Sequence, residues 1–227
     1  MYEPMSINDW KRYFEENAIY HGSRGGIIGN ITPSSRPGTD FGKGFYMGTN
    51  EMQTKALISS AEEPVQYVIK FTLKDIDEEN ILLLDGEDWL HTILAYRTNV
   101  ETLKEHKYLE HLKNKADSAD VMIGKIADDR MLPAIRAFEN NALTDKGLLY
   151  CLEKIDYGFQ IVAKSPKTCE NIIIMNNNAL SGEERDIAYA YSREKQKEGD
   201  DSIREAQEMF LRDGLFIGEL LDELDKK

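Results

Sequence analysis

The order of apolar and polar positions divides the chain into short elements. Ser6 with Asp9 reads as a helix N-cap with an acidic first turn and predicts a helix over Ile7–Asn17. The run Ala18–His21 into Gly22 predicts a strand end. Residues 23–39 are crowded with Gly, Pro and Ser (RGG, TPSSRPG) and predict a long irregular loop, a kind of segment that usually carries function. A glycine-containing strand is expected over Phe41–Thr49 and a short helix over Glu51–Ser60. Val65–Leu73 (VQYVIKFTL) and Ile81–Asp85 predict two more strands. Glu87–Lys113 has a helical period, with Trp89, Leu90, Ile93 and Leu94 on one face. A strand over Asp120–Ile126, helices over Arg130–Asn140 and Thr144–Lys154, and strands over Gly158–Ala163 and Asn171–Met175 complete the core.

Strands outnumber long helices here and do not alternate regularly with them, so the predicted class is α+β rather than a doubly wound sheet. After Met175–Asn178 (MNNN) the pattern changes. Ser181 with Glu184 is a capping-box pair, and the chain onward to Lys227 is charged and helix-forming. Gly199 is expected to split this stretch into two helices, the second made apolar on one side by Met209, Phe210, Leu215, Phe216, Leu220, Leu221 and Leu224. The expected organisation is a core domain over 1–178 and a C-terminal helical extension over 179–227. The apolar side of that extension would serve as a packing face or as a surface for an antidote or partner protein.

Composition narrows the function. Hydrophobic residues make up 41% and charged residues 30% of 227 positions, as in ordinary globular domains. The net charge of −13 argues against a duplex nucleic-acid binder, which needs a basic surface to release counterions from phosphate, and suits a basic protein partner better. No apolar run is long enough for a membrane span, and MYEPMSINDW has no basic stretch leading into an apolar one, so a cytoplasmic location is expected. Cys151 and Cys169 do not suggest a disulfide framework. His91, His106 and His111 lack metal-ligand spacing to one another or to cysteine; helix-surface positions and no metal are expected.

The chemistry concentrates in two segments, Ile19-Tyr20-His21-Gly22-Ser23-Arg24 and Asp40-Phe41-Gly42-Lys43-Gly44-Phe45-Tyr46-Met47. A His-Gly pair at a strand end sets an imidazole beside unhindered backbone at a pocket rim. Glycines in the second segment would let backbone approach a ligand, and the tyrosine offers a flat face for an aromatic ring.

His-Gly-Ser-Arg followed by Phe-Gly-Lys-Gly-Phe-Tyr resembles the His…Tyr half of the ADP-ribosyltransferase superfamily, in its diphtheria-toxin and poly(ADP-ribose) polymerase branch. Together with Asp120–Gly124 and Ala127–Arg130, the Asp-Phe-Gly-Lys-Gly-Phe-Tyr form is also similar to an uncharacterised bacterial and phage domain family of that superfamily, over Ile19–Lys164. The resemblance implies a split mixed β-sheet with flanking helices, and NAD⁺ as co-substrate without a metal. It also implies a mono-ADP-ribosyltransferase of toxin or effector type, acting on a macromolecular acceptor, a protein before a nucleic acid.

By residue, it implies that His21 hydrogen-bonds a ribose hydroxyl, Gly22 clamps the carboxamide and Ser23 touches the adenine ribose. Tyr46 would stack on nicotinamide, and the Thr54 hydroxyl would donate to the carboxamide. The family's third position, a glutamate or variant on a late strand, falls on Gln160. A carboxylate there would stabilise the oxocarbenium-like state formed as the ribose–nicotinamide bond breaks; a glutamine orients a hydroxyl without charge. Asp128 and Asp129 are the alternative carboxylates, though aspartates placed before an apolar helix are more often its N-terminal cap. The glutamine leaves three readings open: a mono-transferase, a weak or silent NAD-binding or protein-interaction module, and an NAD glycohydrolase.

Overall fold

The computed structural model describes residues 4–36 and 38–226. The start of the N-terminal segment, Pro37 in the long loop and Lys227 lie outside the described residues. Seven strands form one mixed sheet: β1 (Ile19–Ser23), β2 (Phe45–Gly48), β3 (Val65–Phe71), β4 (Ile81–Leu84), β5 (Val121–Lys125), β6 (Phe159–Ala163) and β7 (Ile172–Ala179). Ten α-helices accompany it among the described residues: α1 (Ile7–Glu16), α2 (Glu51–Ile58), α3 (Gly86–Arg97), α4 (Glu101–Lys104), α5 (Lys107–Ser118), α6 (Leu132–Glu139), α7 (Asp145–Lys154), α8 (Pro166–Cys169), α9 (Gly182–Met209) and α10 (Ile217–Leu224). The fold is mixed α+β, and no helix among the described residues is long and apolar enough to cross a membrane.

The strand order is β4-β5-β6-β2-β1-β3-β7. Only β4 and β5 run parallel, and the helices α3 to α5 supply the long crossover that parallel pairing demands. The sheet is uneven. β1 pairs with β3 over five residues and β2 with β6 over four, but β1 and β2 meet at one pair, Tyr20 opposite Gly48. This seam divides the sheet into β4-β5-β6-β2 and β1-β3-β7.

Side chains alternate between the two faces of the sheet, as strand geometry requires. Val121, Ile123, Ile161 and Ala163 face one core with Trp10 and Phe14 of α1. Met122 and Val162 face the other, with Trp89, Ile93, Ile135, Phe138 and Leu148. Ala206, Leu220 and Leu224 belong to this second core, so the C-terminal helices pack into the interior shared by α3, α6 and α7.

Several elements differ from the sequence reading. The strand expected over Phe41–Thr49 begins only at Phe45, because Gly42 takes a φ of +72° and turns the chain before it. The helical stretch Glu87–Lys113 breaks after Arg97 and resumes at Lys107, with α4 between. The last strand continues through the three asparagines to Ala179, paired along β3. Gly199 does not split the C-terminal segment. It is buried inside an unbroken α9, beside Met131 and Ile155. The break comes between Phe210 and Phe216 instead, with Gly214 at φ +96°. His91 is buried beside Tyr108 rather than on the helix surface, and His106 caps α5 and bonds Asp225.

Candidate functional site

At the seam the sheet opens into a cavity of about 320 Å³, within the range of small-molecule sites. Tyr20, His21 and Gly22 come from β1, Tyr46 to Gly48 from β2, and Gln53, Thr54, Leu57 and Ile58 from α2. The far wall is Ile126 to Asp129, with Arg97 and Gln160, and Ser34 to Arg36 with Thr39 and Asp40 approach from the long loop.

His21 spans the seam. Its Nδ1 lies 2.7 Å from the Tyr46 carbonyl oxygen, and its ring stacks on Phe45 at 4.2 Å between centroids. A carbonyl can only accept, so Nδ1 carries the proton and Nε2 is left as an acceptor in the neutral ring. Burial holds the imidazole pKa below its ordinary value, partly offset by that hydrogen bond, which favours this neutral form.

Gly22 is dictated by packing. A Cβ there would stand 2.9 Å from Ile58 Cγ2 and 3.0 Å from the Thr54 carbonyl oxygen, so only glycine lets α2 lie this close to β1. The glycines of the second segment serve packing too. A Cβ on Gly42 would strike the Tyr96 ring and one on Gly44 would strike Val162, and neither residue lines the cavity.

Tyr46 lines the cavity, but its hydroxyl is engaged elsewhere: it donates to the Gly42 carbonyl at 2.7 Å and accepts from the Phe41 N–H at 3.1 Å. Burial pushes the phenol well above its usual range. The hydroxyl therefore ties down the turn before β2, a role the sequence reading did not assign. Lys43 is exposed on that turn.

Of the remaining sequence candidates, Thr54 lines the cavity, yet its hydroxyl donates at 2.9 Å to the Asn50 carbonyl of its own helix. Its proton is thus committed, and toward a ligand it can act only as acceptor. Ser23 is not among the lining residues, and its hydroxyl closes a turn onto the Gly26 carbonyl at 2.9 Å.

Gln160, Asp128 and Asp129 all border the cavity, and with them comes a carboxylate that sequence reasoning did not single out. Asp40, 5% exposed, accepts from Gln160 Nε2 at 2.8 Å, from Arg97 Nη1 at 2.7 Å and from the Ala127 N–H at 3.3 Å. Arg97 also reaches Asp129 at 2.9 Å, and Asp129 pairs with Arg36 of the loop. Burial pushes the Asp40 carboxyl up to about 6, against the pull of Arg97. Burial works on Asp129 in the same sense, but Arg36 and Arg97 overcome it and hold this group below its ordinary value. Asp128 is buried, caps the turn ahead of α6, and accepts from Gln53 at 3.0 Å and pairs with Arg130 at 2.7 Å. The signal that could have pointed to Asp40 was its place directly before Phe-Gly-Lys-Gly; Arg97, at the end of a helix, offered none.

Fold and site together define a mixed α+β protein with a ligand-sized cleft where its sheet divides. Its relations narrow this: the model of a family described as "Protein of unknown function (DUF3990)" matches residues 18–173, and the chain belongs to that family. No curated protein and no solved structure matches the chain.

Proposed function

We propose that this chain is a mono-ADP-ribosyltransferase with the ADP-ribosyltransferase fold, breaking the nicotinamide–ribose bond of NAD⁺ and passing ADP-ribose to a macromolecular acceptor. One observation carries the proposal: the His-Gly-Ser and Phe-Gly-Lys-Gly-Phe-Tyr segments meet across the seam, His21 donating to the Tyr46 carbonyl at 2.7 Å, and His21 and Tyr46 line one cavity. A sheet divided at β1/β2 is what a split-sheet core requires.

The residues fit NAD⁺ as substrate. His21 Nε2 accepts a ribose hydroxyl, the Tyr46 ring receives nicotinamide on its face, and Gly22 adjoins the carboxamide through backbone alone. As the C1′–N bond breaks, nicotinamide leaves with the bonding pair and the ribose gains positive charge. The acceptor atom then supplies a new pair to C1′ and gives up a proton. Gln160 orients a hydroxyl next to that charge without neutralising it, which makes for slow transfer rather than polymer elongation.

That same glutamine is the observation behind a second reading, an NAD-binding module with little or no turnover; with water as acceptor the enzyme would be a glycohydrolase. Incubation with labelled NAD⁺ and a lysate separates them. Nicotinamide release with label in macromolecules supports transfer, release alone the glycohydrolase, and binding without release the module. His21→Ala should weaken NAD⁺ binding by roughly 1–3 kcal/mol. Wild-type protein with no NAD⁺ affinity up to millimolar concentration in calorimetry would refute all three.

A further inference from the structure

We infer that Asp40 is a positioning residue: its carboxylate fixes the Gln160 side-chain amide so that the amide oxygen, not the nitrogen, meets a ligand hydroxyl in the cavity. The ligand half of this inference rests on the NAD⁺ reading above; the orientation half does not.

Gln160 stands on β6 with Gly48 opposite it on β2 and Gly124 opposite it on β5. No cross-strand side chain braces it on either flank. A glutamine amide is nearly symmetric in shape, and a half-turn exchanges an acceptor for a donor. Something other than packing must choose between them.

Two acceptors do so. Gln160 Nε2 donates to Asp40 Oδ2 at 2.8 Å and to the Lys125 carbonyl at 3.0 Å. Above about pH 6, where Asp40 is ionised, neither partner carries a proton to give, so both amide hydrogens are committed and Oε1 takes no hydrogen bond among the described residues. A half-turn would set Oε1 against a carboxylate and a carbonyl at once. The carboxylate contributes more of this preference, because hydrogen bonds to ionised groups are about twice as strong as neutral ones. Negative charge at the N–H end also polarises the amide and makes Oε1 a stronger acceptor.

Asp40 is itself held in place. Arg97 grips its other oxygen at 2.7 Å and is fixed by Asp129 at 2.9 Å. The chain Asp129–Arg97–Asp40–Gln160 therefore runs from the rim of the cavity to its floor and delivers one oriented oxygen atom.

The arrangement bears on why a glutamine stands here. A carboxylate at 160 would face the Asp40 carboxylate and the Lys125 carbonyl, so Gln160→Glu alone should impair the site rather than improve it. Exchanging the charge, Asp40→Asn with Gln160→Glu, removes the clash between the two carboxylates. The asparagine oxygen still accepts from Arg97 and its amide donates to the new carboxylate, while the Lys125 carbonyl and the Ala127 N–H lose their partners.

The test combines spectroscopy with kinetics on the full chain. The Gln160 side-chain amide protons, assigned by their loss in Gln160→Glu, should be shifted from free-amide positions and exchange slowly in wild type. In Asp40→Asn they should move toward free-amide values. Should Asp40→Asn fail to fold, the wild-type exchange rate decides, since fast exchange overturns the orientation. With NAD⁺, each single variant should lower kcat for nicotinamide release about ten-fold or more, with little change in KM, and the double variant should recover part of the loss. Single losses that simply multiply in the double variant overturn the positioning role. A wild type that neither binds nor cleaves NAD⁺ overturns the proposed function instead, and the amide spectrum still decides the orientation.

Discussion

Arg97 closes α3 and turns its guanidinium toward two aspartates, and the side chains of Arg97 and Asp40 are only 6% and 7% exposed. Replacement by methionine keeps length and removes the charge. Asp40 would then retain Gln160 and the Ala127 N–H but lose its cation, while Asp129 would keep Arg36. Breaking one partner out of a buried ion pair costs roughly 3–5 kcal/mol. For a chain of this size that is a fall in Tm of roughly 6–20 °C.

The pH dependence makes the mechanism testable. Asp40 titrates near 6 in the folded protein, above its ordinary 3.8, so between those values the native state binds more protons than the unfolded chain. Wild-type stability contributed by this group therefore falls as pH rises from about 4 to about 6. Without Arg97, which pulls the value down, the window must extend further upward. Urea denaturation should show Arg97→Met costing little at pH 5, where Asp40 protonates, and the full amount at pH 8. In an Asp40→Asn background most of that cost should vanish. Equal costs at both pH values, and no coupling to Asp40, would refute the reasoning and leave Arg97 acting through its aliphatic stem.

Gly22→Ala should cost roughly 1–3 kcal/mol, because the new methyl meets Ile58 and the Thr54 carbonyl at about 3 Å; an unchanged Tm would show that α2 shifts freely. Tyr46→Phe should strip the hydroxyl from Phe41 N–H and the Gly42 carbonyl, costing roughly 1–3 kcal/mol and speeding hydrogen exchange at the Phe41 amide. Unaltered Phe41 protection would remove the hydroxyl's anchoring role. His21, with its pKa held below 6.5, binds its proton later than the unfolded chain does, so its contribution to stability is lost as pH falls below 6.5. NAD⁺ affinity should fall in the same direction as Nε2 turns from acceptor to donor, and a titration of His21 by NMR with a midpoint at or above 6.5 would contradict this.

Much of the frame could be read from local pattern, because it rests on local chemistry. The Ser6–Asp9 and Ser181–Glu184 caps are self-contained motifs, and both open helices where the sequence puts them. The strands β3, β5 and β6 are mostly buried and rich in apolar and β-branched residues. What failed was decided at long range. Gly199 looks like a helix breaker by propensity, but a glycine costs a helix interior only about 1 kcal/mol, and α9 is held by packing on both sides of it, through Ala188 and Ala206. The turn over Phe41–Gly44 depends on Tyr46, Tyr96 and Lys164, which donates to the Phe41 carbonyl at 2.6 Å. As residues of the cavity, His21 and Tyr46 were legible because each sits in a short contiguous segment. Asp40 and Arg97 were not, since their pairing spans 57 positions and exists only in the fold.

The energetics of that pairing bear on what the cleft is for. A buried ion network is a weak stabiliser, and apolar residues of similar volume would serve the fold as well or better. This chain has such residues in quantity, with two filled cores on either side of its sheet. Yet Asp40, Asp128 and Asp129 are gathered with Arg36 and Arg97 around one cavity, at the place where the sheet gives up its own pairing. Both features, the interrupted ladder and the desolvated charges, cost stability at the same spot. They are compatible with a common use: an open seam has room to admit a ligand, and fixed charges in a low-dielectric wall would orient polar groups toward it without needing to reorganise. A fold optimised only for stability would have closed the seam and filled the cavity. Stability conceded at one connected site, within an otherwise well-packed molecule, is what a binding or catalytic cleft requires.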